Sequence, residues 1–580
     1  MNWNLDDLYK GFKDPKYIKD FKEVEKLVVE FNSLRDLIEN DNELNVILKY
    51  IEIEEKLTIL VRTLSAFSSL TNATDVSNQE SLVNMSRLSK ILNDMTATNV
   101  AFSRFLVNVD LNRYDNEVVK TNLFQLEKIK EQAKHLLTEK EEVLYSRLRE
   151  LSSGSWSQMQ SLLTSKLDVL LDGETITLSE VRNLAYDEDE KIRKNAYEAE
   201  LKAYEKIDEV VATSLSNIKR EVVVMNELRG YKNPLEPTLN RSNMKAETLS
   251  AMIEAMLEYR DDFAKYLKAK AKYLNHDNGL PFYDLFAPVG KLTKRFTYNE
   301  AKDIIVNAFN GYSESLGSYA EKAFDLNWID PFPKKGKRGG AFCSNQPQLK
   351  QSRILSNFTG SLSDVSTLAH ELGHGYHGEI IAENSPLNWS YPMPLAETAS
   401  IFCETIVTNH LLSELDKDEE RLSVLEIALQ GDTQVIIDIL SRYIFETEIF
   451  KLAEGPISKD KMKELMIEAQ KEAYQDGLDH DYLHPYMWLN KGHYYSAGLN
   501  FYNFPYAFGL LFGKGLYAMY LKDNESFVKN YDKLLKLTTH ATVEDVALSM
   551  NIDVTKKEFW LESLNLIKKD IEEVIRLLEK

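Results

Sequence analysis

Apolar residues recur three or four positions apart through most of this chain, the spacing that places side chains on one face of an α-helix. In the segment FKEVEKLVVEFNSLRDLIEN, residues 21–40, the apolar positions with this spacing are Phe21, Val24, Leu27, Val28 and Phe31. The chain ends in the same manner, with LNLIKKDIEEVIRLLEK at residues 564–580. We therefore predict a mostly α-helical protein.

Two short segments interrupt the helical pattern. In LDGETITLSE, residues 171–180, Gly173 belongs to a turn signal while Ile176 and Leu178 alternate with polar residues, which predicts a short β-hairpin. In WIDPFPKKGKRGGAFCSNQPQ, residues 328–348, the prolines and glycines disfavour a helix. The apolar triplet at 341–343 fits either a short strand or a loop, so any β-structure is expected to be small.

The length and the charge of the chain limit its architecture and its partners. Its 580 residues exceed the roughly 250–300 at which a single hydrophobic core stops growing, so two or more lobes are expected. The net charge is −21, from 91 acidic and 70 basic residues. A surface of this sign argues against a nucleic acid or an anionic membrane as the main partner.

Cysteine content and hydropathy predict a cytoplasmic protein. The only cysteines are Cys343 and Cys403, which excludes a disulfide framework and fits a reducing compartment. The N-terminal segment is highly charged and lacks the apolar stretch of a secretory signal. The sequence also has no apolar run of about 18 residues or more, so we expect no transmembrane helix.

Three of the ten histidines fall within the segment SDVSTLAHELGHGYHGE, residues 363–379. Ser363 is a favourable N-cap and the helical pattern continues as far as Ser385, which predicts one helix across the segment. His370 and His374 are then four residues apart on one helix face, where both rings can reach one ion at about 2.0–2.1 Å. Glu371 lies beside the first ligand and can reach a water molecule at the metal.

This HExxH arrangement, written HELGH here, indicates a zinc site more strongly than an ordinary helix that carries histidines. Gly373 and Gly375 each weaken a helix by about 1 kcal/mol relative to alanine. We expect them where a helix is crowded against a metal and a substrate. The alternative, a packing helix with satisfied histidines, gives no reason for either glycine.

A zinc site of this kind needs a third protein ligand and one open position. The segment YPMPLAETASIFCETIVTNHLL, residues 391–412, predicts a second helix that begins near Pro394. Glu397 in its first turn and Glu404 two turns later are both candidates, one as ligand and the other as its support. His377, one turn beyond His374, is a rival candidate.

At this point the chain resembles a known family, the thimet oligopeptidase-like zinc metallopeptidases, and within it the oligoendopeptidase F branch. The resemblance extends over nearly the whole chain. It rests on WNLDDLY near the start, RGYKNPLEPTL near residue 230, FYDLFAP at 282–288, RGGAFC at 338–343, NFTGSLSDVSTLAHELGH at 357–374, PLAETASIFCET at 394–405 and HYYSAGLNFYNFPYAFG at 493–509.

The resemblance implies a role for each site residue. One zinc ion per chain would be held by His370, His374 and Glu397, with Glu371 as general base and Glu404 behind the ligands. The resemblance also implies His493, Tyr506 and Tyr502 as further catalytic groups. Apart from the resemblance, an extended strand at Gly339, Gly340, Ala341 and Phe342 would be able to pair with substrate main chain, with a plain surface loop as the alternative.

The resemblance also implies the architecture. The fold would be an elongated, mostly helical body of two lobes, with a deep substrate channel and a small β-sheet near the HExxH helix. Residues 1–182 would form part of the non-catalytic lobe, and residues 183–580 the catalytic domain.

The implied activity is zinc-dependent hydrolysis of internal bonds in short unfolded peptides. Two alternatives stay open at this point. A zinc carboxypeptidase of related fold would need an arginine for the free carboxylate, and Arg338 and Arg353 are available. A non-catalytic peptide-binding protein would be less expected, because each catalytic position is filled.

Overall fold

The protein is described here from a computed structural model, which covers residues 2–290 and 294–580. As predicted, it is mostly helical. The helices in the first half are α1 (Pro15–Asn32), α2 (Leu34–Asn40), α3 (Glu43–Thr74), α4 (Gln79–Asn93), α5 (Thr96–Val107), α6 (Glu117–Thr121), α7 (Leu123–Ala133), α8 (Glu139–Leu151), α9 (Ser153–Ser165), α10 (Leu178–Asn183), α11 (Glu190–Tyr204), α12 (Asp208–Leu228), α13 (Glu236–Arg241), α14 (Ala246–Glu258) and α15 (Arg260–Tyr273).

The helices of the second half include those that carry the predicted metal ligands. They are α16 (Tyr298–Tyr312), α17 (Glu314–Asp325), α18 (Leu362–Ile381), α19 (Met393–Ala396), α20 (Thr398–Glu414), α21 (Asp418–Thr433), α22 (Ile439–Leu452), α23 (Lys459–Tyr474), α24 (Phe504–Lys522), α25 (Asn524–Leu537), α26 (Val543–Leu548) and α27 (Lys557–Leu578). Within the described ranges, no helix is both long enough and apolar enough to cross a membrane.

Among residues 2–290 and 294–580, the β-structure consists of two small sheets. Strands β1 (Asp168–Leu171) and β2 (Glu174–Thr177) form the antiparallel hairpin that the sequence predicts. Strands β3 (Ile329–Asp330), β4 (Phe342–Gln346) and β5 (Gln351–Leu355) form the second sheet, in the order β3-β5-β4. Of the two readings left open for residues 341–343, the strand is therefore right for 342 and 343, and β4 lies at a sheet edge.

Contacts divide the chain into two compact units, each assembled from three segments. The first contains residues 2–136, 294–413 and 519–551, and the second contains residues 137–290, 414–518 and 552–580. These limits differ from the expected boundary at residue 182, because residues 2–136 pack in the same unit as α18. The division into residues 1–182 and 183–580 stays a prediction about the domains.

Each unit has its own hydrophobic core. In the first, the apolar residues that the sequence places on one face of α1 are all buried, and they pack with residues of α3 and α5 and with Leu355 of β5. In the second, Trp488, Tyr494 and Tyr495 pack against α11, α12 and α23. The helical periodicity therefore identifies the buried face of α1 correctly.

Candidate metal centre

Helix α18 begins two residues earlier than the sequence suggests. Its N-cap is Ser361, whose side chain accepts a hydrogen bond from the backbone of Asp364, while Asp364 accepts from the backbone N–H groups of Ser361 and Thr359. This capping box satisfies donors that the first turn of a helix leaves without partners. The prediction of Ser363 as the cap is wrong, as is the extension to Ser385, because the helix ends at Ile381.

The structure brings His370, His374 and Glu397 together. Glu397 Oε2 lies 3.2 Å from His370 Nε2 and 3.4 Å from His374 Nε2. One potential ligand atom from each residue lies within 4.8 Å of the other two. Two imidazole nitrogens and one carboxylate oxygen at this separation are a donor set that fits a divalent metal such as zinc.

Glu397 occupies the break between α19 and α20. Its backbone ends the short helix α19 with φ −87° and ψ 1°, and α20 starts at the next residue. Ser400, in the first turn of α20, donates its hydroxyl to both the backbone oxygen and the Oε2 of Glu397 at 3.0 Å. The Glu397 carboxylate is therefore held in place by Ser400 in the first turn of the helix that follows it.

The glycines of the HELGHGYHGE segment allow α18 to pack closely against neighbouring protein elements. A Cβ at Gly373 would lie 2.6 Å from the backbone oxygen of Ala399 and from the Cα of Ser400. A Cβ at Gly375 would meet the Tyr319 hydroxyl at 1.9 Å. Our expectation that these glycines are crowded by a metal and a substrate is wrong, since protein atoms fill the space and bring α20, with Glu397, up to α18.

Glu404 lies behind the candidate metal ligands. Its Oε2 is 3.3 Å from His370 Nδ1, the nitrogen that faces away from Glu397, and its Oε1 accepts a hydrogen bond from Ser366 at 2.9 Å. Burial opposes a charge on His370, but the hydrogen bonds and charges of Glu397 and Glu404 outweigh it and raise the pKa of His370 to about 10. A carboxylate on the second ring nitrogen fixes the tautomer and orientation of a ligating histidine.

Glu371 is buried beside these residues and retains one oxygen without a hydrogen-bond partner in the described structure, Oε2. Burial raises the pKa of this carboxyl above its ordinary value, and the backbone N–H of Cys343 opposes that rise. A desolvated carboxylate with an unoccupied oxygen is suited to accept a proton.

Strand β4 closes one side of the cavity that contains the candidate metal ligands. This cavity has a volume of about 400 Å³, and Ala341, Phe342 and Cys343 line it together with His370, Glu371, His374 and Glu397. The amide of Asn345 donates to the backbone oxygen of His374 at 3.0 Å, which joins β4 to α18. Gly339 and Gly340 are not among the lining residues.

The sequence of residues 183–566 matches the pattern of peptidase family M3. The chain belongs to this family. Curated relatives include Oligopeptidase PepF of Bacillus subtilis, 26% identical over 478 residues that cover 80% of this chain and 70% of the relative. Another is the oligoendopeptidase F homolog of Borreliella burgdorferi, 25% identical, with coverage of 97% of this chain and 94% of the relative.

Solved structures show the same fold. A putative peptidase from Chlamydophila abortus has a TM-score of 0.85 at 21% identity, covering 99% of this chain and 98% of the other. The oligoendopeptidase-F of Enterococcus faecium has a TM-score of 0.69 at 17% identity, covering 97% of this chain and 99% of the other. The resemblance of the sequence to the oligoendopeptidase F branch is therefore confirmed.

His377, the rival candidate, does not join the candidate metal ligands of this family M3 chain. Its side chain is fully buried, and its Nε2 lies 2.8 Å from the hydroxyl of Thr538. Burial, with a smaller effect of His374, lowers the pKa of His377 to about 3. The neutral ring stacks on Tyr391, with 4.1 Å between ring centroids and 3° between planes.

Tyr391 is a residue of the site that the sequence reasoning missed. It lines the same cavity as the candidate metal ligands, and burial raises its pKa above the usual range, so its hydroxyl stays protonated. Asn345 and Ser400 were also missed. The YPMP segment at residues 391–394 was the one available signal for Tyr391, because two prolines fix the path of the chain into α19.

The remaining catalytic candidates, His493, Tyr502 and Tyr506, lie together in the second unit. The hydroxyls of Tyr502 and Tyr506 are 2.9 Å apart, and the ring of Tyr502 stacks on that of His493 at 5.4 Å. Burial first, then the charges of Arg442, Lys219 and Lys491, lower the pKa of His493 to about 3. His493 is therefore neutral at physiological pH.

A buried ion pair anchors the loop that precedes Tyr502. Lys219 Nζ lies 2.7 Å from Glu446 Oε1 and 2.9 Å from Asn500 Oδ1, and Glu446 Oε2 accepts from the backbone N–H of Phe501 at 2.9 Å. Phe501 has a positive φ of 52°, which is uncommon for a residue with a side chain. The sequence offered no signal for this pair, since its members are more than 200 residues apart.

Proposed function

We propose that this chain is a zinc-dependent endopeptidase that hydrolyses internal bonds of short oligopeptides. The observation that carries the proposal is the convergence of His370, His374 and Glu397 with the desolvated carboxylate of Glu371 beside them. Membership of peptidase family M3 and relatives named as oligoendopeptidases support the same activity. Zinc as the metal, and one ion per chain, belong to the proposal.

The residues of the site have distinct roles in this proposal. When bound, zinc supplies a Lewis acid that polarises a carbonyl group and activates water. Glu371 accepts the proton of the attacking water at its unpartnered oxygen and returns it to the leaving amine. Glu404 holds the tautomer of His370, and Ser400 holds the Glu397 carboxylate, so the ligands do not need to reorganise during the reaction.

Strand β4 is proposed to bind the substrate backbone. Its only partner strand in the described structure is β5, so its other edge is available for main-chain hydrogen bonds. Ala341 and Phe342 line the metal cavity, whereas a Cβ at Gly339 or Gly340 would meet no atom within 4 Å. We propose that the two glycines shape the approach to the strand, where Gly340 has a positive φ of 77°.

For the second unit, we propose that His493 and Tyr506 donate hydrogen bonds to the oxygen on which negative charge develops, as the family resemblance implies. The protonation state of His493 supports its part in this role, because a neutral imidazole can donate without a change of charge. Tyr502 is proposed to orient Tyr506 through the contact between their hydroxyls.

One of the two arginines considered for the carboxypeptidase alternative is already engaged within the protein. Arg353 is fully buried, and its guanidinium donates to the backbone oxygen of Asn4 at 2.6 Å and to Asp7 at 3.0 Å. Its charge is therefore already matched within the protein. Short unfolded peptides as the substrates, and a cytoplasmic location consistent with the two free thiols, remain parts of the proposal.

The test uses a quenched fluorescent peptide that is blocked at both ends. We would assay three preparations: the enzyme as purified, the enzyme after chelation, and the chelated enzyme after addition of zinc. Mass spectrometry identifies the products of each reaction. We expect internal cleavage that chelation abolishes and zinc restores. Release of only C-terminal residues from the unblocked form of the same peptide would support a carboxypeptidase instead. Full metal binding with no cleavage of either peptide would refute the peptidase proposal.

A further inference from the structure

The second unit contains a cavity that none of the proposed roles uses. Its volume is about 290 Å³, at the lower end of the range for small-molecule sites. Aromatic rings form much of its wall, including Tyr197, Phe282, Tyr283 and Phe286. The residues that line it all belong to the second unit, and none belongs to the metal centre or to the group of His493, Tyr502 and Tyr506.

The charges around this cavity are matched in pairs, with one cation left over. The ion pairs are Arg182–Glu200 at 2.7 Å, Arg193–Asp284 at 2.7 Å and Arg442–Asp438. The ring of His484 also lies 3.7 Å from Glu200. Lys491 lines the cavity as well, and its ammonium has no hydrogen bond or ion pair with any described residue.

The surroundings of Lys491 place its ammonium at the cavity. It lies within electrostatic range of Arg442, Asp438, Arg182 and Glu200, three of which line the cavity wall. Burial lowers the pKa of Lys491 to about 8, so the amine still carries its charge at neutral pH. Lys491 is half-buried, and a partly desolvated cation without an ion pair carries a free-energy cost that a bound anion would offset.

A second donor faces the same space. Tyr474 is 1% exposed and lines the cavity, and its hydroxyl has no hydrogen-bond partner in the described structure. The Tyr474 hydroxyl interacts electrostatically with Asp438 and Arg442, and so does the Lys491 ammonium. One ammonium and one hydroxyl that both lack an acceptor call for a group that only accepts and carries a single negative charge, which is a carboxylate.

We propose that this cavity binds a small aromatic carboxylate, with its carboxylate on Lys491 and Tyr474 and its ring among Phe282, Tyr283 and Phe286. The single unmatched cation favours a monoanion over a phosphate. The aromatic wall favours a ring, because ring pairs gain energy beyond the area they bury. Such a group could come from a free small molecule or from the C-terminal residue of a peptide.

The test measures binding of 3-phenylpropionate to the zinc-loaded protein by calorimetry. Its uncharged analogue 3-phenylpropionamide and the peptide acid N-acetyl-Ala-Phe are measured in parallel. The variants are Lys491→Met, Tyr474→Phe and, as a matched control, Lys202→Met, which removes an exposed lysine of α11 in the same unit. Repetition after chelation separates this cavity from any carboxylate binding at the metal.

We expect one 3-phenylpropionate per chain, no measurable binding of the amide, and at least tenfold weaker binding in Lys491→Met. Tyr474→Phe should weaken binding less, and Lys202→Met and chelation should leave it unchanged. Binding of N-acetyl-Ala-Phe would identify peptide ends as the source, and its absence a free small molecule. Equal affinity in Lys491→Met, loss of binding upon chelation, or no binding of 3-phenylpropionate would overturn the proposal, whatever the peptidase assay shows.

Discussion

At the scale of single residues, Glu371 separates metal binding from catalysis. Glu371→Gln keeps the shape of the side chain and removes none of the three candidate ligands, so zinc content should stay at one per chain. Hydrolysis should fall by about 10²–10⁴-fold, because the proton acceptor is lost. Metal analysis and kcat/KM on the blocked peptide provide the measurement. Glu379→Gln, two turns further along α18, is the matched control and should retain activity.

The hydroxyl of Tyr506 can be tested without disturbing the ring. Tyr506→Phe should lower kcat by about 10²–10³-fold with a small change in KM, as expected for a donor that acts mainly on the developing oxyanion. Tyr273→Phe removes an exposed hydroxyl from the same unit and should have no effect. An unchanged kcat in Tyr506→Phe would leave this tyrosine without a catalytic role.

Lys491 should destabilise the folded protein in a pH-dependent way. Its pKa is about 8 when folded and ordinarily 10.5, so the unfolded chain binds more protons between these values. The penalty is therefore complete below about pH 8 and disappears as the pH rises to about 10.5. Lys491→Met should be more stable by roughly 2 kcal/mol at pH 7, and by much less at pH 10.5. Denaturant unfolding of Lys491→Met at both pH values, with Lys202→Met as control, measures this difference in the free energy of unfolding. An increase in stability that does not depend on pH would contradict its attribution to the lowered pKa of Lys491.

At the scale of the elements, the metal centre depends on how closely α18 and α20 approach each other. Gly373→Ala would force a Cβ against the α20 backbone, where no flexible side chain can give way. We expect a loss of about 1–3 kcal/mol in stability and weaker zinc binding, because Glu397 moves with α20. Gly311→Ala in α16 has open space and should be neutral or stabilising by up to about 1 kcal/mol. Zinc affinity and thermal unfolding measured for both variants test this prediction. Equal zinc affinity and stability in the two variants would contradict it.

Periodicity and motif spacing anticipated the elements that local sequence determines. The buried face of α1, the β1–β2 hairpin and the pairing of His370 with His374 on one helix were all predictable. The cap of α18 was missed although its signal is local: Ser361 and Ser363 are both acceptable caps, but only Ser361 has Asp364 three residues later to complete a capping box. The role of Gly373 was missed because its neighbours, Ala399 and Ser400, come from another element, which spacing along one helix cannot reveal.

At the scale of the whole molecule, metal removal should affect one unit more than the other. The ligands connect α18 with the start of α20, and β4 is tied to α18 through Asn345. Chelation should therefore speed amide hydrogen exchange in residues 342–346, 362–381 and 393–414 of the first unit. The β1–β2 hairpin of the second unit serves as the internal control and should exchange at an unchanged rate. Uniform acceleration across both units would mean that the ion stabilises the entire fold.

The division of each unit into three segments has a consequence for the newly made chain. His370, His374 and Glu397 leave the ribosome well before residues 519–551, which complete the first unit and supply Thr538, the partner of His377 on α18. At ordinary elongation rates, that interval lasts on the order of ten seconds. During synthesis, the candidate ligands on α18 and at the start of α20 would therefore precede the packing that residues 519–551 contribute to their unit.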